Sequence, residues 1–248
     1  MNCAKCGKAF HVRAGIPVLL ADAPAAQALP RTVLGVDRER FRYTIQFIIL
    51  TIAVHVWIPA ERRRVIRKLG LQRGQRVLDH CTGLGGNLPP LADAVLPGGH
   101  IVAVDNSLAM TVQAQRLARR HGIPVDVHQA DAMNLPYADG YFDAVVHSGA
   151  INQFGDGKKR AVEEMLRVTK PGGGILILDE GMTPELERTR WGRFLLSRNP
   201  MFRTSAPTDI VPSNAIPEVG HAMGGLFYEL LFHKPTARSE EVSGRRSA

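Results

Sequence analysis

Residues 77–87, VLDHCTGLGGN, constrain the chain more than any other stretch. An apolar run closes on an acid, Asp79, and passes at once into a glycine-rich turn. Beyond it lie residues 88–96, a helix candidate whose Pro89 and Pro90 suit a first turn. Glycines at such a turn let the backbone approach a bound group closely. The helix start offers free N–H groups to a negative or polar ligand. A unit of this kind belongs to an open, mostly parallel sheet, where ligands bind beyond the C-terminal ends of the strands.

The chain that follows keeps the alternation. Residues 100–105 (HIVAVD) read as a buried strand. Ser107 can cap a helix that runs to His121, with Arg119 and Arg120 in its last turn and Gly122 as its stop. Residues 124–128 and 142–147 (FDAVVH) are further strands. A helix over 158–169 places Val162, Met165, Leu166 and Thr169 on one face. Pro171 and the three glycines after it break that helix, and 175–179 form a fifth strand. Strands alternating with helices predict a Rossmann-like α/β fold, its parallel sheet covered on both faces. Residues 218–223 and 226–234, around Gly224 and Gly225, can pair as an antiparallel hairpin at the sheet edge.

Acids recur where strands end. Asp79 is followed by Asp105, and Asp131 stands just past the third strand in QADAM. A dinucleotide fold wants Gly-x-Gly-x-x-Gly to cradle a pyrophosphate. Here Leu88 occupies the place of the third glycine. Asp79 beside the turn could instead take a cationic amino group, and Asp105 suits two ribose hydroxyls. The segments VLDHCTGLGGN, IVAVDNS, HQADAMNLPYADGYFDAVV and MLRVTKPGGGILILDE, spanning residues 62–180, resemble class I S-adenosylmethionine-dependent methyltransferases. The resemblance is to the branch that includes the ubiquinone/menaquinone biosynthesis C-methyltransferases. It implies a seven-stranded, mostly parallel sheet whose last two strands form a hairpin, with helices on both faces, and S-adenosylmethionine as cofactor. It also implies that Asp79, Gly83 and Gly85 hold the methionine moiety, Asp105 the ribose, and Asp131, Ala132 and Met133 the adenine. His147, Ser148 and Gly149 would floor the pocket. Cys81, Asn87, Asn106 and Ser107 complete the expected cofactor set. The family usually has Gly or Ala where Cys81 stands; a cysteine is small and soft enough for the turn to survive.

Methyl transfer from a sulfonium is an in-line displacement that needs alignment first. An acidic carbon or hydroxyl acceptor also needs a base. His147, at the end of the fourth strand, is the expected catalytic residue. Tyr43, His55, Asn152 and Gln153 are expected to meet the acceptor. Tyr43 and His55 lie in the apolar run 43–58 (YTIQFIILTIAVHVWI), too short to span a bilayer and interrupted by Gln46 and His55. In similar enzymes the segment before the first strand covers the acceptor, so a greasy run points to a small hydrophobic acceptor: a quinone precursor, lipid or secondary metabolite. Between residues 37 and 68, eight Lys/Arg stand against three acids, and the whole chain carries +8. That charge, flanking the apolar run, points to peripheral contact with an anionic membrane; a solvated helix face explains it as well.

The division expected is a partial zinc-ribbon-like segment (1–20), a linker (21–36), a helical cover (37–70), the methyltransferase core (71–235) and a polar tail (236–248). Cys3 and Cys6 resemble half of a zinc ribbon; four ligands are needed, and no metal site is expected. Three cysteines make no disulfide framework. Residues 1–10 lack the apolar core of a secretory signal, and a cytoplasmic location is expected. Two other functions compete: methylation of rRNA or tRNA, which the ribbon-like segment and net charge favour, and a non-catalytic cofactor-binding scaffold. The Asn/Asp-Pro-Pro-Tyr/Phe motif common in base-modifying RNA enzymes is absent.

Overall fold

The computed structural model describes Gly7, residues 9–20 and residues 57–236. The Cys3/Cys6 pair, the linker, Tyr43, His55 and most of the apolar run lie outside the described residues. So does the tail beyond residue 236.

Among the described residues nine strands form one sheet, in the order β1-β2-β5-β4-β3-β6-β7-β9-β8. β3 (Arg76–His80), β4 (His100–Asp105), β5 (Asp126–Gln129), β6 (Phe142–Ser148) and the start of the long β7 (Thr169–Glu180) reproduce the expected alternation. These five are parallel. β8 (Glu218–Ala222) and β9 (Phe227–His233) form the expected antiparallel hairpin, turning through Gly224 and Gly225, both at positive φ. The helices are α1 (Ile58–Arg67), α2 (Leu88–Val95), α3 (Leu108–Arg120), α4 (Lys158–Val168), α5 (Pro184–Glu187) and α6 (Arg190–Arg198). Ser107 caps α3 as its sequence requires, its hydroxyl accepting the Met110 N–H at 3.4 Å.

The pleat sends alternate residues of each strand to opposite faces. Val77, Ile101 and Val146 pack with Val65 of α1, Leu91 of α2 and Ala114 of α3. Leu78, Val102 and Val145 pack on the other face with Val162 and Met165 of α4. Both faces are buried, which is why these strands read as continuous apolar runs.

Two differences from the sequence reading have clear causes. β7 begins at Thr169, not at Ile175, because Pro171–Gly173 are absorbed as an irregularity: pairing jumps from Phe142↔Thr169 to Ala144↔Gly174. A side chain at Gly173 would stand 2.6 Å from the Asp143 carbonyl, so only glycine lets the two strands close there. The second is that the sheet has two strands more than the seven expected. β1 (His11–Arg13) and β2 (Ile16–Val18) turn through Ala14 and Gly15, both at positive φ. β2 lies parallel to β5, and the Leu19 N–H donates to the Gln129 carbonyl at 2.8 Å. Ile16 and Val18 are buried, so this hairpin shares the core of the main sheet. Among the described residues no helix is long and apolar enough to cross a membrane.

Candidate active site

The C-terminal ends of β3, β4 and β5 bring Asp79, Asp105 and Asp131 to one edge of the sheet. Asp79 is fully buried. Its Oδ1 accepts from the Asn87 amide at 2.8 Å and its Oδ2 from the Thr82 hydroxyl at 2.5 Å. Asn87 in turn accepts from Arg62 Nη1 at 2.5 Å, and the same nitrogen reaches Ser148 Oγ at 3.4 Å. Burial raises the Asp79 carboxyl to about 6, although Asn87, Thr82 and the Arg62 charge pull the other way. A carboxylate in such a place gains from a cation brought beside it.

The turn above it is shaped by backbone demands. At Gly85, with φ +82°, an added Cβ would meet Leu88 and Ala114 at 3.0–3.2 Å. At Gly83, φ +54°, the same atom would enter open space, the side from which a ligand approaches. Cys81 carries φ +60°, a left-handed conformation that favours glycine. Burial, then Asp105 and Asp79, hold its thiol well above the ordinary range, so it is no nucleophile. Asp105 accepts the N–H groups of Gly83 at 3.0 Å and Ser107 at 2.9 Å. Asp131 accepts the Met133 N–H at 2.9 Å. Asn106 is exposed, and its carbonyl accepts from Gln129. This set suits S-adenosylmethionine: a buried acid for the amino group, a glycine turn open on one side, an acid for the ribose and an acid with adjacent N–H groups for the adenine.

His147 is fully buried, with its Nδ1 2.7 Å from His80 Nδ1. His80 Nε2 lies 3.0 Å from the Ala132 carbonyl, which can only accept, so His80 carries its proton on Nε2. His147 therefore donates from Nδ1, and its Nε2 is an acceptor with no partner among the described residues. Burial keeps both rings neutral, lowering His80 to about 4 and His147 well below its usual value. The two rings and the Cys81 sulfur hold potential ligand atoms within 4.8 Å of one another. Gly149, at φ +75°, closes the loop by donating to the Leu178 carbonyl at 2.8 Å.

Of the expected acceptor contacts, Gln153 is exposed, whereas Asn152 turns inward. Its backbone N–H donates to Asp179 Oδ2 at 2.9 Å, its amide to the Glu180 carbonyl at 2.8 Å, and it accepts from the Tyr228 hydroxyl at 3.1 Å. Asp179 and Glu180 are both buried at the end of β7. Burial, then the Glu180 carboxyl beside it, push Asp179 up to about 8.

The sequence reading missed Arg62, Thr82, Asp179, Glu180 and Tyr228. Two acids closing the apolar run ILIL were a usable signal, since an acid has no reason to end a buried strand except at a site. Nothing in the sequence separates Arg62 from Arg63 and Arg64; only the helix phase turns it inward.

Residues 77–173 match the family model described as a methyltransferase domain. The demethylmenaquinone methyltransferase of Renibacterium salmoninarum is 42% identical over 118 residues, covering 48% of this chain and 46% of that protein. The ubiquinone/menaquinone biosynthesis C-methyltransferase UbiE of Proteus mirabilis is 33% identical over 141 residues, covering 56% and 54%. The chain thus spans about half the length of the curated relatives it matches. In fold it is similar to a SAM-dependent methyltransferase from Aquifex aeolicus, with TM-score 0.53 and 21% identity over 70% of this chain and 89% of that one. The [4+2]-cyclase SpnF is similar too, with TM-score 0.51 and 20% identity over 72% and 81%. Motifs, strand order and relatives agree that residues 77–173 are a methyltransferase domain, in a fold similar to that of class I S-adenosylmethionine-dependent methyltransferases.

Proposed function

We propose that the protein transfers a methyl group from S-adenosylmethionine to a small hydrophobic acceptor of the quinone-precursor kind. The observation that carries the cofactor half is the hydrogen-bonded chain Arg62–Asn87–Asp79, with Asp79 and Asn87 buried, beneath a glycine turn open on one side. Asp79 holds the amino group of the methionine moiety there, and Arg62 is the nearby cation for its carboxylate. Asp105 holds the ribose hydroxyls, and Asp131 with the Met133 N–H reads the adenine. Bound in this way, the cofactor supplies an electrophilic methyl carbon. The protein's task is then to aim the acceptor along the line of displacement and keep water out.

The names of the relatives support a quinone-like acceptor. So does the apolar run before α1, together with its basic flanks, which suit peripheral contact with an anionic membrane. The test is incubation with methyl-labelled S-adenosylmethionine and a reduced demethylated naphthoquinol in vesicles, with RNA offered in parallel. Label in the extracted quinol is the expected result. Label in RNA, or none in either, would overturn the acceptor assignment.

A further inference from the structure

Among the described residues cofactor binding leaves four buried acids unused; Glu164 and Glu229 are ion-paired with arginine and lysine side chains, and Asp179 and Glu180 stand together on β7. Each ends β7 at the ligand edge of the sheet, and desolvating two neighbouring carboxyls is costly unless they serve a purpose. What favours the charged form of Asp179 is the backbone N–H of Asn152 and that of Glu180. Two further elements meet the pair: Asn152, from the turn after β6, bonds Asp179 and the Glu180 carbonyl, and Tyr228 of β9 bonds Asn152. The Tyr228 phenol is held neutral by burial first and then by these acids. β7 lies parallel to β6, and β6 to β3, so the pair stands at the same end of the sheet as the turn carrying Gly83 and Gly85, two strands away.

We propose that the Asp179–Glu180 carboxyl pair is the base that takes the proton given up by the methyl acceptor, with Asn152 and Tyr228 as positioning residues. The inference rests on the methyl-transfer reading above. In the step, the acceptor's bond to hydrogen breaks and the proton passes to the Asp179 carboxylate. The acceptor's electron pair forms the bond to the methyl carbon. The carbon–sulfur bond breaks and its pair remains on sulfur, leaving S-adenosylhomocysteine. Glu180 poises Asp179: the hydrogen bond that the protonated Asp179 carboxyl makes to Glu180, and then the charge beside it, keep the base in the range where it can both accept and return a proton.

The experiment is a pH profile of single-turnover methyl transfer, beside infrared titration of the cofactor-free protein. Wild type should show a rate rising toward a plateau with an apparent pKa near 8, and a protonated carboxyl band titrating in the same range. Asp179→Asn should lose that band and about 10²–10⁴-fold in rate while binding S-adenosylhomocysteine as wild type does. Glu180→Gln removes the neighbouring charge, so its limb should move to lower pH with the plateau largely kept; a merely structural role would leave the limb in place. A limb unmoved in Glu180→Gln, a limb that follows His147→Asn instead, or a wild-type band absent near pH 8 would each overturn the proposal. Absence of turnover with the band present and shifted in Glu180→Gln would sink the methyl-transfer reading, and the proposed base with it.

Discussion

With Asp79 assigned to the amino group of the cofactor, as proposed, binding becomes a titration. The Asp79 carboxyl stands at about 6 in the cofactor-free protein because burial outweighs two donated hydrogen bonds and the Arg62 charge. The cationic amino group of the cofactor needs the ionised form. The sign follows: a raised carboxyl is protonated below 6, so binding must first release that proton, and affinity falls as pH falls. At pH 5 about one molecule in eleven carries the charge, and at pH 7 about ten in eleven, so affinity should differ by about tenfold, or ~1.4 kcal/mol. Calorimetric titration with S-adenosylhomocysteine, whose amino and carboxyl groups do not titrate in this window, measures it directly. Asp79→Asn should bind more weakly by about 1.5–3 kcal/mol at pH 7, the scale of a hydrogen bond to a charged group, and should show no slope. Equal affinity of the wild type at pH 5 and 7, or a slope that survives in Asp79→Asn, would refute the assignment of Asp79 to the amino group.

Other substitutions test neighbouring links. Arg62→Met removes the charge that holds Asp79 down, so its binding profile should shift to higher pH; an unshifted profile would place Arg62 outside the site. Asp105→Ala should weaken S-adenosylhomocysteine by about 1.5–3 kcal/mol and, by removing a charge that helps to raise Asp79, should move the pH profile to lower pH; unchanged affinity would remove Asp105 from the ribose subsite. Cys81→Gly relieves a left-handed backbone at φ +60° and should raise urea stability by up to about 1 kcal/mol; a loss would mean that the buried thiol packs better than the strain costs. Ile16→Ala empties a fully buried position at the sheet edge and should cost about 2–4 kcal/mol. A change below about 0.5 kcal/mol would show that the β1–β2 hairpin is not coupled to the core.

Much of this protein was legible in the sequence because the signals were local. Apolar runs ending in Asp79 and Asp105 mark strands that stop at a ligand edge, glycines at fixed spacing mark the turn, and Ser107 and Gly122 bracket a helix. Each of these follows from backbone geometry within a few residues, and the parallel pairing follows from the alternation of strands and helices. What the tertiary structure decided were the long-range placements. Arg62 differs from its neighbours only by the helix phase that carries it to Asn87, twenty-five residues away. His80 and His147 meet because β3 and β6 are adjacent and in register, which no local pattern encodes. The β1–β2 hairpin reads locally as a ribbon fragment, yet an open edge on β5 was waiting for a strand, and burying Ile16 and Val18 there rewards the pairing. Asp179 and Glu180 look like the polar end of an apolar strand; only the turn carrying Asn152, folding back across β7, makes them a buried pair. Charge acquires its chemistry from burial, and burial is a property of the assembled chain.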